Sequence, residues 1–435
     1  MLTRMVRFFW GELTAKEIKR FSVLACTYLF IVGTYWLMRP LKDALFMHIV
    51  GKCYLPYAKI ASVFIMIPLI LIYSKFVDLV QKHKLFYIIF SSYAVLFLGI
   101  AYFVAHPDFG LANTVLSKWR ILGWVIYLSI ESFGSLAVAL FWSFVASTND
   151  TNSAKKGYAL IICGAQFGSV MGPLLARKAS DIGIPTLLLF VVCGIMVVPF
   201  LVNYFVKNYS SFSPDGVVED SKKVSTGPIE GLHLLFSKPY LLGILGLITL
   251  YEIVGTILDY QMKFLADGIC PSVEALTELL GAYGFYANLL ALIISLVGTS
   301  FFIRRFGLVF SLVLFPILVG FLVLFVWVNP SLYSFFVAMI MLKGFSYALN
   351  KPCVEIMYIP TSNDIKFKAK GWIDVFGGRS AKSFGAAINA IFVDMSSLLF
   401  FGSIISLGMV GFWIVIALYV GKTNQKLVRD NKTIS

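Results

Sequence analysis

Ser147-Thr148-Asn149-Asp150, followed by Lys156-Gly157-Tyr158, recurs half a chain length later as Thr361-Ser362-Asn363-Asp364, followed by Lys370-Gly371-Trp372. The Asp-to-Gly spacing is the same in both copies, and each copy lies between two long apolar runs. The chain therefore reads as two related halves, each a bundle of membrane helices. Parallel repeats of six spans build one large class of secondary transporters, which hold substrate between the halves.

Composition points the same way. Of 435 residues, 59% are hydrophobic and 13% charged, with a mean hydropathy of +0.86, which excludes an ordinary soluble domain. A bilayer crossing takes roughly 20 apolar residues. Twelve runs approach or exceed that length: 21–38, 56–75, 85–105, 120–146, 158–176, 184–206, 239–260, 280–302, 307–328, 332–350, 372–393 and 397–420. The expected fold is an all-α membrane protein of twelve transmembrane helices in two six-helix repeats. The polar stretch 207–238, with Pro214 and Pro228, separates a bundle at 1–206 from one at 239–435.

Cation placement sets the expected orientation. One face of a twelve-span topology receives the N-terminal tail, the central linker and the C-terminal tail, and holds 23 of the 36 basic residues. Both termini are therefore expected in the cytoplasm. The net charge of +14 is spread over short loops, with no basic domain to suit nucleic acid. Six scattered cysteines and four isolated histidines give no disulfide framework and no metal-ligand spacing, so neither a metal nor a cofactor is expected. The N-terminus resembles neither a cleavable signal nor a transit peptide, which favours a bacterium over a plastid as the source.

Charges inside spans cost a few kcal/mol or more, and generally face water or protein. Arg39, Lys42 and Asp43 close the first run, Lys59 opens the second and Glu131 lies in the middle of the fourth. Asp259 and Lys263 end the seventh, Lys351 and Glu355 the tenth, and Arg379 and Lys382 lie in the eleventh. Several are spaced three or four apart, which places each pair on one helix face. If those faces look inward, a cation-rich cavity results, suited to phosphate chains, because Arg forks and Lys point charges replace the hydration of phosphate oxygens. The alternative for each is a side chain snorkelling to the headgroups. The carboxylates could position the lysines, bond ribose hydroxyls or carry a coupling proton.

Two further features are structural in character. Gly164, Gly168 and Gly172, with Gly378 and Gly385 in the equivalent span, offer small-residue faces, either for helices sliding at the half-to-half interface or for static packing. Gly377-Gly378-Arg379-Ser380-Ala381-Lys382-Ser383 looks like a phosphate loop, but Ala381 stands where the second glycine belongs and no strand precedes it, so it is expected to be helix. An ATPase is not indicated, and neither is a membrane-embedded phosphate- or lipid-transferring enzyme.

Several segments carry a family resemblance: Arg39-Pro40-Leu41-Lys42-Asp43, Pro56-Tyr57-Ala58-Lys59, Glu131-Ser132-Phe133-Gly134-Ser135 with Phe141-Trp142, and Ile303-Arg304-Arg305-Phe306-Gly307. The most specific is Glu355-Ile356-Met357-Tyr358-Ile359-Pro360 with Lys368-Ala369-Lys370-Gly371 and Ile373-Asp374-Val375. On these the chain resembles the nucleotide transporters of intracellular bacteria and plastids, the non-mitochondrial ATP/ADP translocases. The resemblance implies a major-facilitator-like fold that moves ATP, ADP or related nucleotides by alternating access; a bacterial inner-membrane location and a monomer are expected beside it. It puts functional charges at Lys42, Glu131 and Asp259, the last being Glu in most members. A family lysine expected just before Glu355 is Val354 here, and Lys351 stands where an acid is usual. That rearrangement keeps proton-coupled nucleotide import, through Glu131 or Glu355, and NAD/ADP exchange open beside ATP/ADP exchange.

Overall fold

A computed structural model of the chain describes residues 14–148, 151–209, 235–297, 305–362, 365, 370–373, 377–392, 394–430 and 432–434. Asn149, Asp150, Asn363 and Asp364 of the repeated motif lie outside the described residues, as do Lys368, Asp374 and most of the central linker. The long helices are α1 (Ala15–Ile49), α2 (Leu55–Leu79), α3 (Lys82–Ala105), α4 (Ile121–Thr148), α5 (Thr151–Ala176) and α6 (Ile184–Tyr209). They continue with α7 (Pro239–Ile269), α8 (Val273–Val297), α9 (Leu308–Val328), α10 (Leu332–Phe345), α11 (Lys351–Met357), α12 (Gly378–Ile391) and α13 (Met395–Arg429). Among the described residues the one β-type pairing is an isolated bridge between Thr361 and Ile434.

Ten of these helices are long and apolar enough to cross a membrane. The twelve expected spans are therefore not all continuous helices. The run 332–350 is α10 followed by a π-helical turn at Ser346–Asn350, and α11 carries the helix beyond it to Met357. Pro352 in the first turn of α11 has no N–H to give to the preceding turn, and the π-turn accommodates the gap. The run 372–393 has only the 14-residue α12 as its long helical part. The phosphate-loop look-alike forms the start of that helix.

The chain divides into two compact units, of which only the residues given above are described. The first comprises Met1–Ala58, Phe64–Glu219 and Cys270–Phe285, and the second Lys59–Val63, Asp220–Ile269 and Tyr286–Ser435. In the first unit, the N-cap Thr14 and Glu17 form a reciprocal capping box that starts α1. The glycines of α5 face α1. A Cβ on Gly164, Gly168 or Gly172 would run into the backbone of Ala25, Leu29 or Gly33 respectively. The small-residue stripe thus brings two backbones together inside one bundle rather than forming a face of its own. An aromatic stack of Phe86, Phe90, Tyr93, Phe133 and Phe144 fills the space among α3 and α4.

The second unit repeats the scheme. Gly385 of α12 approaches Ile253 and Thr256 of α7, and Asn389 Nδ2 donates to the Thr256 carbonyl at 3.2 Å. Tyr251, Phe315 and Trp413 pack as an aromatic cluster. Tyr240 Oη donates to the Met357 carbonyl at 2.7 Å and accepts from Asn424 Nδ2 at 2.9 Å, tying the end of α11 to α7 and α13. None of the six cysteines is in a disulfide.

Candidate functional site

Three groups of charges stand inside the helical units. In the first unit, α1 carries Lys42 and Asp43 beyond the apolar part of its run. Pro40 lacks the N–H that would bond the Trp36 carbonyl, which loosens the helix at that turn. Arg39 lies over the Trp36 ring, its guanidinium carbon 4.5 Å from the centroid. Lys42 is 5% exposed. Its Nζ donates to Glu131 Oε1 of α4, lies 3.7 Å from Asp43 Oδ1 and sits 4.4 Å above the Tyr127 ring. Tyr127 and Glu131 are one turn apart on α4, so a single helix face supplies both partners. The ammonium is enclosed, with one carboxylate hydrogen-bonded to it, a second at ion-pair distance and a ring face beneath it.

In the second unit, Lys59 and Lys263 share one carboxylate oxygen. Their Nζ atoms lie 2.8 and 2.7 Å from Asp259 Oδ2. The i,i+4 pairing of Asp259 and Lys263 follows from the sequence spacing, whereas Lys59 comes from a remote segment.

The third group lines a cavity of about 410 Å³, within the size range of small-ligand pockets. Its walls include Tyr251 and Glu252 of α7, Ser346 and Asn350 of the π-turn, Lys351, Val354 and Glu355 of α11, and Gly378, Arg379 and Lys382 of α12. Lys351 Nζ lies 4.1 Å from the Tyr347 ring centroid. Lys382 Nζ is 3.6 Å from Glu252 Oε2. Glu355 Oε2 accepts from Lys370 Nζ at 2.5 Å, and Lys370 also lies over Tyr358. The four candidate charges of the tenth and eleventh spans thus share one cavity. Beside α7, the cavity is lined by α11, α12 and the π-turn at Ser346–Asn350, where the backbone leaves regular α-helix.

Glu252 and the aromatic walls escaped the sequence reading. Glu252 is a carboxylate within the run 239–260, the same signal that singles out Glu131. Among the described residues no group of three or more His, Cys, Asp and Glu is arranged to hold a metal ion.

A multi-pass helical bundle with a charged cavity among its helices fits the class of membrane transporters. The model of the TLC ATP/ADP transporter family matches residues 1–424, and the chain belongs to that family. It is 24% identical to ADP,ATP carrier protein 3 of Rickettsia bellii, over 93% of each chain. It is 23% identical to ADP,ATP carrier protein 1 of Rickettsia prowazekii, over 99% of this chain and 98% of the relative. The chloroplastic ADP,ATP carrier protein 1 of Arabidopsis thaliana is 25% identical, over 92% of this chain and 72% of the relative. Solved transporters share the fold. A bacterial homologue of the iron transporter ferroportin, in an inward-facing state, superposes with a TM-score of 0.62 at 13% identity, covering 94% of this chain and all of that one. A POT family transporter in complex with 5-aminolevulinic acid gives 0.64 at 11% identity, covering 95% and 98%.

Proposed function

We propose that this chain exchanges ATP for ADP across the inner membrane of an intracellular bacterium, as a monomer with both termini in the cytoplasm. The observation that carries the substrate assignment is the cavity bearing Lys351, Arg379 and Lys382 together. An arginine fork and two ammonium groups match a polyphosphate tail. Val354, which stands where the family lysine is expected, lines the same cavity as Lys351, so a cation remains available within one turn. The Lys42–Glu131 pair and the Asp259 pair are further substrate-responsive ion pairs in this reading. The repeats 1–206 and 239–435, joined by the linker 207–238, are the parts that alternate in exposing the site. An occupied cavity is neutralised and closes. An empty one repels itself, so the return step needs a nucleotide.

Uptake of labelled ATP by cells expressing the chain, with ADP loaded inside, tests this directly. Saturable uptake that depends on the internal nucleotide and survives collapse of the proton gradient is expected. Uptake abolished by an uncoupler would favour proton symport, and uptake of NAD in preference to ATP would reassign the substrate.

A further inference from the structure

Glu252 is the acid that the transport reading leaves without a role. It projects from α7 into the cavity with its side chain 18% exposed, while Lys382 opposite is 54% exposed and 3.6 Å away. Lys343 and Lys351 also lie within electrostatic range of it. The cavity's other carboxylate, Glu355, is 60% exposed and bonded to Lys370. Of the two lining acids, Glu252 is the one that pairs with a lining cation.

The geometry points to Glu252 as an internal competitor for substrate phosphate. In the empty cavity it holds Lys382, and an incoming phosphoryl group takes that ammonium from it. A separation of 3.6 Å is an ion pair without the close hydrogen-bonded geometry of Lys59 and Lys263 on Asp259, so it yields readily. The carboxylate does two things at once. It lowers affinity, which keeps the nucleotide releasable, and it partly neutralises the cavity when nothing is bound, which sets how much the empty carrier resists return. Glu252 is thus a specificity-determining residue for the exchange step. The inference rests on the cavity being the phosphate site.

The test is calorimetric titration of ATP into the purified full chain in detergent, for wild type, Glu252→Gln, Lys382→Ala and the double variant. Glu252→Gln is expected to tighten ATP binding by about threefold, the scale of a half-exposed ion pair, and the gain should largely vanish in the Lys382→Ala background. In reconstituted vesicles the same variant should raise the ratio of exchange to net one-way uptake, which a residue that merely packs would not change. Unchanged or weaker ATP binding by Glu252→Gln, or an equal gain in both backgrounds, overturns the competitor role. Should the glutamine variant fail to fold, Glu252→Asp, with a shorter reach to Lys382, should tighten binding in the same direction, and weakening would overturn the role. Arg379→Ala serves as the control. If it leaves ATP binding intact, the cavity is not the phosphate site, whatever Glu252 does.

Discussion

The Lys42 cluster and the α11–α12 cavity are built from the same side chains in opposite states. Lys42 is enclosed, with Glu131 and Asp43 within ion-pair distance and an aromatic ring beneath it. Lys382 stands half open to a cavity, with its carboxylate at the edge of ion-pair range. A buried pair is expensive to break because the remaining partner stays desolvated. A loosely held cation in a cavity is available to a ligand. The difference separates two settings of charge at membrane depth: in the first cluster the pair also holds α1 against α4, and in the second a cation stands open to a phosphate.

The largest effect should come from breaking the enclosed pair. Lys42→Ala removes the cation shared by the buried Asp43 and the partly exposed Glu131, and a loss of at most about 3 kcal/mol in stability follows. Thermal unfolding in detergent should show it as a clear fall in Tm. The Lys42→Met, Glu131→Gln double variant should recover most of that loss without recovering uptake. Recovery of uptake together with stability would show that the cluster only supports the fold.

Arg379→Ala comes next, and it separates the two regions from the other side. A charge-assisted phosphate contact contributes about 1.5–3 kcal/mol, so KM for ATP should rise roughly tenfold or more. The Tm should move little, because Arg379 faces the cavity rather than a packed core. A matching fall in Tm would place Arg379 with the structural charges instead.

Most of the bundle was legible in the sequence, because a run of roughly 20 apolar residues leaves a helix as the one way to satisfy its backbone in lipid. The ends were not. The apolar run 21–38 stops where α1 continues to Ile49, since the helix keeps going through Arg39, Lys42 and Asp43. The partner of Lys42, Glu131, is far along the chain, and no local window sees it. The π-turn at Ser346–Asn350 was hidden for a related reason, because a departure from regular α-helix beside a charged cavity depends on what tertiary structure brings together. The candidate charges themselves could be read, as ionisable residues within apolar runs. Their grouping could not: Lys351, Arg379 and Lys382 meet Glu252 across α7, α11 and α12, three segments separated by long stretches of chain. The glycines of α5 likewise announced a close approach without saying that α1 was the partner.

The smallest effect concerns where on α11 the cation sits. Lys351 and Val354 are three residues apart and both line the cavity, so they occupy neighbouring places on one helix face. Val354 is only 6% exposed. A lysine there would have to extend its stem along the wall and deliver its ammonium into the cavity. If the cavity needs a cation on this face rather than at one atom's position, Lys351→Ala should weaken ATP uptake several-fold, and adding Val354→Lys should restore most of it. Val354→Lys alone should change KM by less than about threefold, the scale of one partly exposed ion pair. Its added attraction for phosphate is opposed by repulsion from Lys351 and by the pull of Glu355 one residue on. Initial rates of labelled ATP uptake for the three variants give the answer. A double variant as weak as Lys351→Ala would mean that the phosphate is recognised at Lys351 itself, and that the cavity reads position as closely as the enclosed Lys42 cluster does.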